Sequence, residues 1–318
     1  MPTLHSLDPI PVGLIIMAHG TPSDYNNFEE FLTSIRRGRP PETELLQEVK
    51  RRYSLIGGLS PLTDITQSFF NKLETQIEDS SELNQSGYNI VCSLGYKHVD
   101  PKIESAVKSL ISKNVEVIIG LIASAYYSKV NIEDYNKAVR DTLTESNRSN
   151  VTYLNLPPLC ELEGYPELIA KRLKESLREH PESLVIFSAH SLPLAALQQD
   201  KTYQNQHEKL AATVASLCKI KDYVTAYQSG TLGLGSWLGP DVNEVIRSRD
   251  YRAYNSVIVA PIGFVSDHAE VLYDLDIELK ANCEANKVNY SRIEMFNDSS
   301  DFIHLLIKSI IKFFHENV

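Results

Sequence analysis

Cysteine is scarce, and its spacing excludes more than it suggests. Cys92, Cys160, Cys218 and Cys283 are the only four in 318 residues, and no two form a CxxC pair. The usual thiolate frameworks for zinc or an iron–sulfur cluster are therefore not expected, and buried free thiols are. No apolar run approaches the roughly 18 residues needed to cross a bilayer. The opening "MPTLHSLDPIPVG" lacks a basic stretch followed by an apolar one, so it does not read as a signal peptide, and a cytoplasmic protein is expected. Positive charge is in deficit. Lys and Arg number 31 against 41 Asp and Glu, a net charge of −10 that argues against nucleic acid as the main partner. What remains is ordinary for a globular protein, 42% hydrophobic and 23% charged, and long enough for one large or two medium domains.

One segment reverses the acidic trend. "IRRGRPPETELLQEVKRRY" holds Arg36, Arg37, Arg39, Lys50, Arg51 and Arg52. A local basic cluster on an acidic chain suits a small anionic ligand, although Glu42, Glu44 and Glu48 are interleaved as possible ion-pair partners.

Apolar runs alternate with helix-length amphipathic stretches. Strands are expected at 13–18, 89–94, 115–122, 151–154, 184–188, 223–227 and 256–260. Helices are expected near 24–36, 41–54, 62–77, 101–112, 131–144, 164–179, 204–218, 241–249, 267–279 and 300–315. Val/Ile-rich runs without alternation indicate strands buried on both faces, hence parallel sheets covered by helices and a doubly wound α/β fold. Two runs are nearly one phrase, "LIIMAHG" ending at Gly20 and "LVIFSAHS" ending at Ser191, with histidines 171 residues apart. Each opens one half of the chain. The expectation is two similar Rossmann-like domains, 1–155 and 156–299, with a boundary near 155–166 and a C-terminal helix, 300–318, packing back on the first. Ligands in such sheets bind beyond the carboxyl ends of the strands, where His19 and His190 both fall.

Further chemistry lies in "APIGFVSDHAEVLYDLDIELK". Glu270, Asp274 and Glu278 recur every four residues and share one helix face. Like charges so spaced repel by roughly 0.2–0.5 kcal/mol per pair, which a cation would offset, and oxygen ligands suit hard or hydrated divalent metals. A capping box, Asp267-x-x-Glu270, is the alternative. His268 lies about 200° around a helix from Glu270 and is expected to face elsewhere. "YQSGTLGLGSWLGPDV" is a glycine-rich crossover with the only tryptophan, Trp237. Its Gly233-x-Gly235 is weak evidence for a phosphate loop and lacks the following lysine, so an aromatic platform beside a flat ligand is the other option.

"MAHGTP", "IRRGRPP", "RYSLIGGLSPL", "GYKHVDP", "SAHSLP", "QSG…WLGPDV" and "PIGFVSDHAEVLYDLD" occur in that order. In order and spacing they resemble the ferrochelatase family over nearly the whole chain, most closely its short, cluster-free bacterial form that inserts Fe²⁺ into coproporphyrin III. The resemblance implies a porphyrin cleft between two Rossmann-like domains, with Fe²⁺ as substrate, no required cofactor and no iron–sulfur cluster. It implies that His190 and Glu270 handle metal and protons, with Asp274 and Glu278 an acidic path. It places His19, Arg36, Arg52, Tyr53, Ser60 and Tyr135 against the porphyrin, and Lys97, His98 and Trp237 near the cleft. Three departures stand out. His19 replaces the tyrosine of "MAYGTP", Leu194-Ala195 replaces a charged pair after "SLP", and Asp200-Lys-Thr-Tyr203 stands for "GDPY". His19 is expected to approach the metal from the side of the ring opposite His190.

Insertion needs two pyrrole protons removed. A neutral imidazole and a carboxylate are both suitable, and sequence does not divide the work between His190 and Glu270. Alternatives are protoporphyrin IX as substrate, another metal–tetrapyrrole pair such as cobalt and sirohydrochlorin, or a non-catalytic porphyrin carrier. A monomer is expected.

Overall fold

The run 12–18 is apolar throughout because it is covered on both faces. In the computed structural model, which describes residues 9–84, 87–129, 132–197, 200–230, 236–248 and 254–318, it forms β1 (Ile10–Ala18), buried from Val12 onward. β1 pairs in parallel with β2 (Tyr88–Tyr96) and β3 (Val117–Ile122), and β3 with β4 (Thr152–Asn155), giving the order β2-β1-β3-β4. The second half repeats the plan. β5 (Leu184–His190) lies between β6 (Tyr223–Gln228) and β7 (Ser256–Ala260), with β8 (Asn289–Arg292) at the edge, all parallel in the order β6-β5-β7-β8. The repeated phrase thus occupies the same slot in both sheets. β1 and β5 are each the strand beside which the order reverses, and a histidine stands at the carboxyl end of each.

Helices cover both sheets: α1 (Phe28–Ile35), α2 (Thr43–Leu55), α3 (Leu62–Glu78), the short α4 (Ser81–Asn84), α5 (Ile103–Ser112) and α6 (Ile132–Glu145) in the first half; α7 (Tyr165–Glu179), α8 (Leu194–Leu197), α9 (Thr202–Cys218) and α10 (Val242–Arg247) in the second. After β7 a single helical rod runs from Ala269 as a π-helix, Val271–Leu279, and then α11 (Lys280–Ala285). α12 (Ser300–Asn317) packs on α3 of the first half and on α7 of the second. Phe302 stacks on Phe69, ring centroids 5.8 Å apart. One apolar cluster is continuous from Ile16 and Leu121 of the first sheet to Val185 and Phe187 of the second.

The strand not expected from sequence is β8. "NYSR" lacks an apolar run because an edge strand has one ladder partner and an exposed side. The rod begins at 269, two residues later than expected, because Asp267 is held outside it. Its amide and carboxylate bond Asn297, and Arg292 lies 3.1 Å away. Among the described residues no helix is long and apolar enough to cross a membrane. Gly233 and Gly235 lie outside the described residues.

Candidate active site

His190 is the last residue of β5. Its Nδ1 bonds the Ser191 carbonyl, which can only accept, so Nδ1 carries the proton and Nε2 is presented outward. The chain is sewn down on either side. Tyr203 Oη donates to the His190 carbonyl at 2.9 Å, and the Ser191 amide donates to the Gln228 carbonyl at 2.8 Å.

Glu270 reaches this point because the turn after β7 lies directly on β5. The Gly263 amide donates to the Ser188 carbonyl at 3.1 Å, and a Cβ at 263 would stand 2.5 Å from the Ala189 Cβ, so only glycine permits the approach. The turn leads into the rod, whose first amide, at Ala269, donates to Ser60 Oγ at 3.2 Å. Glu270 Oε2 then lies 3.3 Å from His190 Nε2. The capping-box alternative fails, since Glu270 makes no side-chain cap bond and Asp267 is engaged elsewhere. The expectation that His268 faces away also fails. Residue 268 precedes the helix, so a helical wheel does not apply. Its Nδ1 bonds the Ser266 carbonyl and its Nε2 lies 3.7 Å from Glu270 Oε2.

The electrostatics of the pair follow from this geometry. Burial alone would lower the His190 imidazole, but the adjacent Glu270 carboxylate outweighs it and raises the pKa to about 9. Burial alone would raise Glu270, but His190 and then His268 hold it well below the usual carboxylate range. The resting pair is imidazolium–carboxylate. It stays open on one side, the side chains being 32% and 49% exposed.

Farther along the rod Asp274 is 3% exposed. Ser229 Oγ donates to Oδ2, and Arg52 lies 3.4 Å from Oδ1. Burial, helped by Glu270 and opposed by Ser229 and Arg52, raises Asp274 to about 6. Glu278 is exposed at the outer end. A π-helix turns about 80° per residue, so a four-residue spacing drifts only about 40° and keeps the acidic stripe together. Among the described residues no group of three His, Cys, Asp or Glu could hold a metal ion. His190 and Glu270 therefore offer two donors side by side, and Asp274 is engaged with Arg52 and Ser229.

The first half faces them with His19, directly after β1. Its Nδ1 bonds the Gly20 carbonyl at 2.9 Å, and burial lowers its pKa, so the neutral ring keeps an Nε2 lone pair. The ring lies 4.5 Å from that of His98, whose Nδ1 is 2.9 Å from Ser34 Oγ and whose pKa burial lowers to about 3. Tyr53 is buried edge-on to Phe28, its phenol raised by burial and then by the Glu270 charge. Tyr135 is buried beneath Lys97, which pairs with Asp134 at 2.9 Å. Trp237 packs by the loop after His190, bridging Pro193, with its Nε1 buried and unbonded.

The basic cluster is largely paired. Arg36 forms a bidentate contact with Glu42, Arg37 lies 3.7 Å from Asp134, and Arg51 and Arg52 share Glu48. Arg52 also stacks over Tyr273, 4.5 Å from the ring centroid. Arg39 and Lys50 have no ion pair among the described residues. The Arg36, Arg37 and Arg51 pairs are partly to largely exposed and worth about 0–1 kcal/mol each, so an incoming carboxylate can displace them. Large apolar side chains are exposed at Tyr25, Ile35, Leu55 and Leu59 of the first half and at Leu194 of the second. Sequence reasoning missed Tyr203, Ser229 and Tyr273. Of these, only Tyr203 carried a signal, the altered "GDPY" segment.

The two parallel sheets and the strand-end site define a chelatase-type α/β protein. The fold is similar to the cobalt-bound sirohydrochlorin chelatase SirB of Bacillus subtilis subspecies spizizenii, TM-score 0.59, 9% identity, covering 97% of each chain. A ferrochelatase family model matches residues 11–313, and the chain belongs to the ferrochelatase family. Similar proteins include coproporphyrin III ferrochelatase of Oceanobacillus iheyensis, 33% identical over 95% of this chain and 96% of that one. That of Bacillus subtilis strain 168 is 32% identical over 95% and 97%. Coproporphyrin III ferrochelatase 2 of Bacillus anthracis is 36% identical over 93% and 92%. The activity is metal chelation of the lyase class, insertion of iron into a porphyrin in haem biosynthesis.

Proposed function

We propose that the porphyrin is coproporphyrin III and that it is metallated between His19 on one side and the His190–Glu270 pair on the other. The observation that carries this reading is the 3.3 Å contact of His190 Nε2 with Glu270 Oε2 at the open end of β5. Two donors suffice because the ring supplies four nitrogens. In the resting pair only the Glu270 carboxylate is free to take the first pyrrole proton. Once it is neutral, His190 loses the charge that raised it and releases its own proton, and its Nε2 then serves the second. Buried Asp274, raised by burial to about 6, passes protons toward exposed Glu278. The exposed apolar side chains receive the ring faces, and Arg36, Arg52, Tyr53, Ser60, Tyr135 and Lys97 surround the propionates. The enzyme works in the cytoplasm as a monomer.

Four propionates use the basic cluster more fully than two, so anaerobic Fe²⁺ insertion should show the higher kcat/KM for coproporphyrin III. A preference for protoporphyrin IX would overturn the substrate assignment. A neutral imidazole binds Fe²⁺ more readily than a phenol. His19→Tyr should therefore shift the absorption spectrum of the iron-porphyrin product complex and weaken its binding; an unchanged spectrum and affinity would reduce His19 to a structural residue.

A further inference from the structure

Tyr126 belongs to the loop after β3, in the first half, yet it is 1% exposed among residues of the second. Its ring meets Tyr203 edge-on, centroids 5.4 Å apart, and packs against His207 at 5.6 Å. Its hydroxyl shares a 3.0 Å hydrogen bond with His207 Nδ1. Both partners are on α9. The next residue adds to the junction, the Tyr127 amide donating to Gln206 Oε1 at 2.7 Å. A single segment of the first half is therefore fastened to three residues within one turn and a half of α9.

Two lines run from Tyr126 to the reacting pair. Through Tyr203, whose hydroxyl bonds the His190 carbonyl at 2.9 Å, it bears on the end of β5. Through Gly263, where a Cβ would lie 3.3 Å from Tyr126 Cε2 and 2.5 Å from Ala189 Cβ, it backs the turn that delivers Glu270. His207 is fully buried, and burial lowers its pKa to about 4, so the hydrogen bond joins two neutral groups with no water to replace either.

We propose that Tyr126 is a positioning residue, a strut from the first half that fixes the spacing of His190 and Glu270 across the junction of the two sheets. This rests on the assignment of His190 and Glu270 as the reacting pair. The strut touches neither porphyrin nor iron. It acts by holding two separately carried side chains at hydrogen-bond separation, where a displacement of about 1 Å can cost up to about a hundredfold in rate.

Tyr126→Phe keeps the ring and removes only the hydroxyl. Its kcat for iron insertion should fall by roughly tenfold or more, with porphyrin KM within about twofold. His207→Leu should reproduce the loss, and His207→Gln, whose amide still meets the hydroxyl, should restore most of it. Rates are divided by the folded fraction from far-UV circular dichroism. An unchanged kcat in Tyr126→Phe, a loss that vanishes on that correction, or equal losses in His207→Leu and His207→Gln would overturn the proposal. An inactive wild type would instead refute the function on which it rests.

Discussion

His190→Ala should bind porphyrin with near-normal affinity and lose iron insertion by about 10²–10⁴-fold, the usual range for a positioned acid–base group. The substitution removes one of the two side chains that meet at 3.3 Å at the open end of the sheet. The local backbone should survive, because its supports are main-chain groups: the His190 carbonyl held by Tyr203 and the Ser191 amide held by Gln228. Fluorescence titration with porphyrin and anaerobic absorbance assays separate the two effects. Near-normal turnover would remove His190 from the chemistry.

Glu270→Gln should have an effect of similar size, with a second signature that no helix-capping role would give. In the wild type His190 is raised to about 9 against its ordinary 6.5, so its stabilising contribution is fully present below about 6.5 and is lost as pH rises through about 9. Without the carboxylate, burial is opposed only by the Ser191 carbonyl and the Asp274 charge, and the imidazole pKa should drop from about 9. The stability lost between about pH 6.5 and 9 in the wild type should then shrink. Histidine NMR titrations and urea midpoints at about pH 6 and pH 9 check both statements. A capping role would cost about 1 kcal/mol and leave insertion and the titration intact.

The strands were legible because parallel strands covered on both faces must be written as apolar runs. The duplicated "AHG" and "AHS" endings marked corresponding slots for the same reason. β8 was not legible, because an edge strand can be as polar as "NYSR". The acidic stripe was, since a four-residue spacing stays on one face in either helix type, but the π-helix was not. His268 was misplaced because the helix start is set from afar: the Ala269 amide finds Ser60, 209 residues earlier. Arg52 and Asp274, 222 residues apart, likewise meet only through the junction of the two halves.

The most direct test is an anaerobic single-turnover reaction of Fe²⁺ with stoichiometric enzyme and coproporphyrin III, wild type beside Glu270→Gln. Absorbance follows the ring and an indicator dye the protons. The wild type should convert the free base to the iron porphyrin with release of two protons, while the variant holds the porphyrin unmetallated. Conversion by the variant at the wild-type rate would contradict the paired His190–Glu270 centre.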